Sequence, residues 1–151
     1  MRPSRRLERI WVLVVDSGSF RAAACGRVEV NARLIDAEWV QLNLARVHAK
    51  AEVLKLINWE LASAHSDSLS PADASAAKVY GTELATEAYR LLMEVLGTAA
   101  TLRQDSPGAL LRGRVERMHR ACLILTFGGG TNEVQRDIIG MVALGLPRAN
   151  R

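Results

Sequence analysis

Cysteine is scarce: Cys25 and Cys122 are the only two in 151 residues, far apart and without a Cys-x-x-Cys spacing. That pattern excludes a disulfide framework and a thiolate metal site, and makes a reducing cytoplasm the expected compartment. Aromatic residues amount to 5% of the chain, and the apolar 49% is mostly Ala, Leu and Val. Such a mix favours helices over sheets. No apolar run approaches the roughly 20 residues that cross a bilayer. The run Ile10-Trp11-Val12-Leu13-Val14-Val15 follows basic residues, as in a secretory leader. It is short even for an h-region of about 7–15 residues, and Asp16 ends it before a small-residue cleavage site. The chain also lacks internal repeats and low-complexity tracts.

Arginine supplies most of the net charge of +4. It clusters at Arg2, Arg5, Arg6 and Arg9, and again at Arg112, Arg114, Arg117 and Arg120. The second cluster falls at helical spacing with Leu110, Leu111, Val115 and Met118 between its members, so it reads as one solvated face. No groove-reading motif accompanies the charge, and nucleic acid is not an expected partner.

A chain of this length buries roughly 68–70% of its unfolded surface, enough for one domain with a real core. Residues 1–26 form an opening segment. Within it Leu7, Ile10, Trp11, Val14 and Val15 recur at helical intervals and predict a helical segment, with which a β-prone run at residues 10–15 competes. From about Asn31 to Ala64 there is no Pro or Gly. Over that stretch Ile35, Trp39, Leu42, Ala45, Ala49, Val53, Ile57 and Leu61 follow one another by three or four residues, predicting a long amphipathic helix. Ser70-Pro71-Ala72-Asp73 is a helix start: a hydroxyl cap, a proline at the first helical position and an early carboxylate facing the dipole. This helix is predicted to bury Leu84, Ala88, Leu91 and Val95 and to stop at Gly97. Ser106-Pro107 repeats the start signal and predicts a helix to about Leu125. After Gly128-Gly129-Gly130, a last helix opens at Thr131 or Asn132, carries Val134, Ile138 and Met141 on one side, and stops at Gly145 before Pro147. The fold class is all-α: an up-and-down bundle of four to five helices, occupying residues 27–151.

The stretch from Phe127 to Ile139 carries the chemistry. A glycine loop opening directly into a capped helix lets backbone approach a ligand closely and aims free amides at an anion or a polarised ring. The same pattern also serves as a plain helix break.

Gly130-Thr131-Asn132-Glu133-Val134-Gln135-Arg136, then Ile138-Ile139 and Leu144-Gly145-Leu146-Pro147-Arg148, resembles the C-terminal signature of the acyl-CoA dehydrogenases. The resemblance covers roughly residues 27–148. It implies the C-terminal helical part of a three-part subunit whose N-terminal helical and middle β domains are not in these 151 residues. It further implies FAD as cofactor, acyl-CoA as substrate, a homo- or hetero-oligomer with another dehydrogenase subunit, and electron-transfer flavoprotein as the electron acceptor. A carboxylate would take the α-proton while the β-hydrogen leaves as hydride to the flavin. By matching positions, Gly130 and Thr131 would touch the flavin, and Glu133 would lie near the diphosphate and ribose of FAD.

The departures from the family pattern are informative. The catalytic Glu that precedes Gly-Thr in many members is here Gly129, which has no proton-accepting side chain. Some members carry the Glu on the helix opening the domain, which matches Glu8. A third arrangement is a heteromeric pair in which the other subunit keeps the base. The Arg-x-x-Phe-Gly element that meets FAD phosphates is replaced by Arg27-Val28-Glu29-Val30-Asn31. In place of the Gln-x-x-Gly-Gly turn stands Glu94-Val95-Leu96-Gly97-Thr98, whose carboxylate needs a neutralising cation if it is to lie near a diphosphate.

His48, His65 and His119 have no ligand set around them, so no metal is expected. Trp11, Trp39 and Trp59 read as core or interface anchors, and Cys122 as a small buried hydrophobe. Two functions follow: part of an FAD-dependent dehydrogenase, inactive alone, or a non-catalytic helical interaction module that pairs with a complete dehydrogenase.

Overall fold

The computed structural model describes residues 27–29, 32–64 and 69–148. The opening segment, with Glu8, Trp11 and Cys25, lies outside the described residues, as does His65. Among the described residues there are four α-helices: α1 (Glu38–Ser63), α2 (Pro71–Leu96), α3 (Arg114–Leu123) and α4 (Asn132–Ala143). The all-α bundle holds, preceded by a short antiparallel ribbon of β1 (Arg27–Glu29) and β2 (Ala32–Arg33), with Arg27 opposite Arg33.

Helix α2 starts where its cap dictates. The Ser70 hydroxyl accepts from the Ala72 amide at 3.1 Å, and Asp73 accepts from the Ser70 amide at 3.1 Å, a reciprocal box that satisfies otherwise free donors. It ends at Gly97, which adopts φ 62°. Leu84, Ala88, Leu91 and Val95 are buried as expected, because α2 packs against each of the other three helices.

Neighbouring pairs fix the directions. Leu54 lies 3.5 Å from the Cβ position of Gly81, Lys50 pairs with Glu87, and Val40 sits in one cluster with Leu92 and Leu96. Rising numbers on α1 thus meet falling numbers on α2. Thr126 meets Lys78 while Arg114 acts on Tyr89, so α3 is antiparallel to α2 as well. Asn132 meets Lys78 and Arg136 meets Glu83, so α4 runs parallel to α2. The result is the up-and-down order.

Three expectations need correction. The first long helix begins at Glu38 rather than near Asn31; the stretch ahead of it is the ribbon and a 3₁₀ turn, Leu34–Asp36. Its inward face is Val40, Val47 and Ala51, whereas Trp39, Leu42, Val53, Leu56 and Trp59 are exposed. At 100° per residue these two sets lie on opposite sides of α1, so the helix is apolar on both faces and the three-to-four spacing picked the outward one. Ser106-Pro107 does not open a helix. The Ala109 amide instead donates to the Ser106 carbonyl at 3.1 Å, with Gly108 at φ 82°, a reverse turn that uses Pro and Gly at its two central positions. Leu111, Arg112 and Gly113 then follow with φ of 50°, 53° and 65°, and α3 begins only at Arg114.

Cys122 is buried, with its thiol at 3.0 Å from the His119 carbonyl. Among the described residues no helix is long and apolar enough to cross a membrane.

Candidate functional site

The glycine loop spans from the 3₁₀ turn Ile124–Thr126 to the start of α4. Thr131 is the N-cap: its hydroxyl oxygen accepts from the Val134 amide at 3.3 Å, and its backbone is extended. Gly129 and Gly130 adopt φ of 72° and 92°, the left-handed region that favours glycine. A Cβ on Gly129 would meet nothing within 4 Å, whereas one on Gly130 would stand 2.9 Å from Nε2 of Gln135. That amide in turn donates to the Gly129 carbonyl at 2.8 Å, tying the loop to the first turn of α4.

The other side of the loop is held by α2. Lys78 Nζ donates to the Gly130 carbonyl at 2.8 Å, to Oδ1 of Asn132 at 2.6 Å and to the Thr126 carbonyl at 3.3 Å. One turn on, the Thr82 hydroxyl donates to the same Asn132 oxygen at 3.1 Å. Asn132 is 5% exposed and so requires such partners. Glu83 completes the contact through a salt bridge with Arg136.

Next to the loop lies an open cleft of about 550 Å³, lined in part by Glu83, Glu87, Arg90, Phe127 and Glu133. Phe127 is 68% exposed. Glu133 is held below the usual carboxylate range, first by its own backbone amide at the helix N-terminus, then by the Thr131 hydroxyl, with Arg136 and Lys78 adding to the effect. Of the cleft's charged groups, Glu83 is paired with Arg136, Glu87 with Lys50 and Arg90 with Glu94, which leaves the Glu133 carboxylate at the helix start as an acceptor for hydroxyl donors.

Of the residues singled out from sequence, Gly129, Gly130, Thr131 and Glu133 come together here. Glu94 and Gly97 do not: they close the far end of α2, about 24 Å along the helix from Lys78. Glu94 pairs with Arg90 one turn earlier, so the carboxylate that replaces an amide carries its own counter-charge. Lys78 and Thr82 belong to no motif in the sequence, and Gln135 figures there only as part of the signature. The visible hint was a lone lysine amid Ala76, Ala77 and Val79, but its partners are 48 to 54 residues away.

A family model, the C-terminal domain of acyl-CoA dehydrogenase, matches residues 9–144. The chain belongs to that family. It is 90% identical over 123 residues to the acyl-CoA dehydrogenase FadE26 of Mycobacterium tuberculosis, an alignment covering 79% of the chain and 31% of the relative. The structure of the ChsE4-ChsE5 complex from Mycobacterium tuberculosis matches with TM-score 0.83 and 80% identity, covering 93% of the chain and 36% of the other. The Tcur3481-Tcur3483 steroid acyl-CoA dehydrogenase matches at TM-score 0.76 and 38% identity, over 95% of the chain and 35% of the other. The chain therefore spans about a third of the length of the relatives it matches. FAD is the cofactor that family membership supports. The matched span begins one residue after Glu8.

Proposed function

We propose that this chain forms the C-terminal flavin- and acyl-binding part of an FAD-dependent acyl-CoA dehydrogenase acting on acyl-CoA thioesters in lipid or steroid side-chain breakdown. The observation that carries the proposal is the capped glycine loop, side-chain-tethered on its inner face and unobstructed at Gly129. When bound, FAD supplies the acceptor for the hydride that leaves the β-carbon. Thr131 and the backbone of Gly130 form the wall against the ring. The Glu133 carboxylate, kept ionised, lies near the diphosphate and ribose of FAD and accepts from ribose hydroxyls. Glu94 and Gly97, at the other end of α2, address the FAD of a neighbouring subunit, with Arg90 offsetting the charge.

Gly129 cannot take the α-proton, so this position supplies no base and the chain alone is inactive unless Glu8 serves. The base is Glu8 or a carboxylate of a second dehydrogenase subunit. The relatives whose names are those of two-component assemblies favour a heteromeric pair. Electron-transfer flavoprotein is the proposed electron acceptor, and the cytoplasm the proposed compartment.

The absent carboxylate also favours a second reading, a non-catalytic interaction module. Thr131 separates the two. In the assembly that contains this chain, Thr131→Ala removes the cap and the wall, whereas Thr131→Asn keeps a capping group and alters the shape offered to the ring. Both variants are expected to lose FAD on gel filtration, and only Thr131→Ala to lower the melting temperature of the flavin-free assembly. Unchanged FAD content in both makes the loop a structural turn and the interaction module the better reading.

A further inference from the structure

Lys78 stands on α2 rather than on the loop, and nothing in the family signature points to it. An ammonium has three N–H donors. Here each has an acceptor: the Thr126 carbonyl at 3.3 Å, the Gly130 carbonyl at 2.8 Å and Oδ1 of Asn132 at 2.6 Å. These acceptors bracket the loop, one before Phe127 and two after Gly129. The carbonyl at Thr126 also ends the α3 segment, where the helix dipole favours a cation. The half-buried position of Lys78 makes these charge-assisted bonds stronger than their exposed equivalents. Thr82, four residues on and so on the same face of α2, secures Asn132 from a second direction.

We infer that Lys78 is a positioning residue for the flavin wall: its ammonium clasps the entrance and the exit of the glycine loop to α2 and so sets where Gly130 and Thr131 stand. The inference rests on the flavin-wall reading. Because three glycines in a row carry the largest conformational freedom of any residue, the loop on its own would spend little time in one shape. A clasp at both ends pre-organises it, and a ligand wall that is already ordered costs less to bind against. Lys78 touches no reacting atom in this scheme; it acts through the loop.

The test uses the FAD-loaded assembly that contains this chain, with Lys78→Met, which keeps an unbranched side chain and removes all donors, and Lys78→Arg, which keeps the charge. The measurements are FAD affinity by flavin fluorescence, the flavin absorption spectrum, and hydrogen exchange of the amides from Gly128 to Thr131. Lys78→Met is expected to weaken FAD binding about tenfold or more, shift the flavin spectrum and speed exchange in the loop, with helix content unchanged. Lys78→Arg is expected to recover part of the affinity, since a planar guanidinium reproduces the charge but not the three-way geometry. If Lys78→Met does not assemble, Lys78→Gln, which keeps an amide donor without charge, carries the same measurements. The inference is overturned if FAD affinity and loop exchange stay within twofold of wild type while Thr131→Ala still releases FAD. If neither Lys78→Met nor Thr131→Ala affects FAD, the flavin wall itself is wrong, which is a different failure.

Discussion

Gly113 and Gly129 have nearly the same φ, 65° and 72°, and opposite surroundings. A Cβ on Gly113 would stand 2.4 Å from the Gln104 nitrogen and 2.7 Å from the Arg103 carbonyl carbon, so the connection between α2 and α3 is closed by backbone packed on backbone. A Cβ on Gly129 would touch nothing within 4 Å. One glycine is demanded by the fold. The other is demanded only by its own φ, in a loop that side chains of α2 and α4 hold from outside. A positive φ therefore does not mark a site; free space beside a tethered backbone is the better sign. The first connection is built to be rigid and the second to leave a face uncovered.

The largest expected effect tests that contrast directly. Gly113→Ala combines left-handed strain with a clash that no flexible side chain can relieve, and should cost about 3 kcal/mol or more of unfolding free energy. Gly129→Ala carries only the strain and should cost about 1 kcal/mol. Urea denaturation of the two variants side by side reads the difference; equal losses would erase the distinction drawn between the two connections.

The next effect concerns how the open loop is held. Asn132→Ala removes the acceptor used by Lys78 and Thr82 from a position that is 5% exposed. The Thr82 hydroxyl keeps the Lys78 and Val79 carbonyls as acceptors, but leaving the Lys78 ammonium short of one is expected to cost about 2 kcal/mol, between the two glycine variants. A loss below about 0.5 kcal/mol in the same denaturation series, the level of an ordinary surface change, would mean that the loop does not depend on α2.

The two connections also differed in how far sequence alone revealed them. The loop before α4 was legible because its signals are local: three glycines, a hydroxyl and the first part of a family signature lie within the nine residues from Gly128 to Arg136. The cap of α2 was legible for the same reason, and both ends of that helix fell where Ser70 and Gly97 put them. The connection before α3 was not. Ser106-Pro107 is a valid helix start in isolation, but Gly108 follows it at once and turns the chain, and the obligate glycine at 113 answers to residues 103 and 104, whose approach no local pattern encodes. Helix α1 failed differently. Its apolar residues lie on two opposite faces, so spacing alone could not say which one meets α2. Lys78 was missed because its role exists only once residues about fifty positions apart are brought together.

The smallest expected effect is electrostatic and belongs to the open loop. Glu133 sits in the first turn of α4, where its own amide and the Thr131 hydroxyl stabilise the ionised carboxylate and hold its pKa below the ordinary range. A carboxyl whose pKa is lower folded than unfolded releases its proton more readily in the native state. Its contribution to stability is therefore complete above the ordinary carboxylate range and disappears as the pH falls through the folded value. The glycines compared above have no such dependence, so pH separates the two connections by a route that leaves packing untouched. Glu133→Gln removes the charge at all pH values. Measured across a pH series, the stability difference between wild type and Glu133→Gln should be small and constant near neutrality, then shrink toward zero in acid. Added salt should change it little, because the leading cause is a hydrogen bond to backbone rather than a distant charge. A wild type less stable than Glu133→Gln near neutrality, with the gap closing in acid, would mean that the ionised carboxylate is destabilised by its surroundings more than the helix start stabilises it.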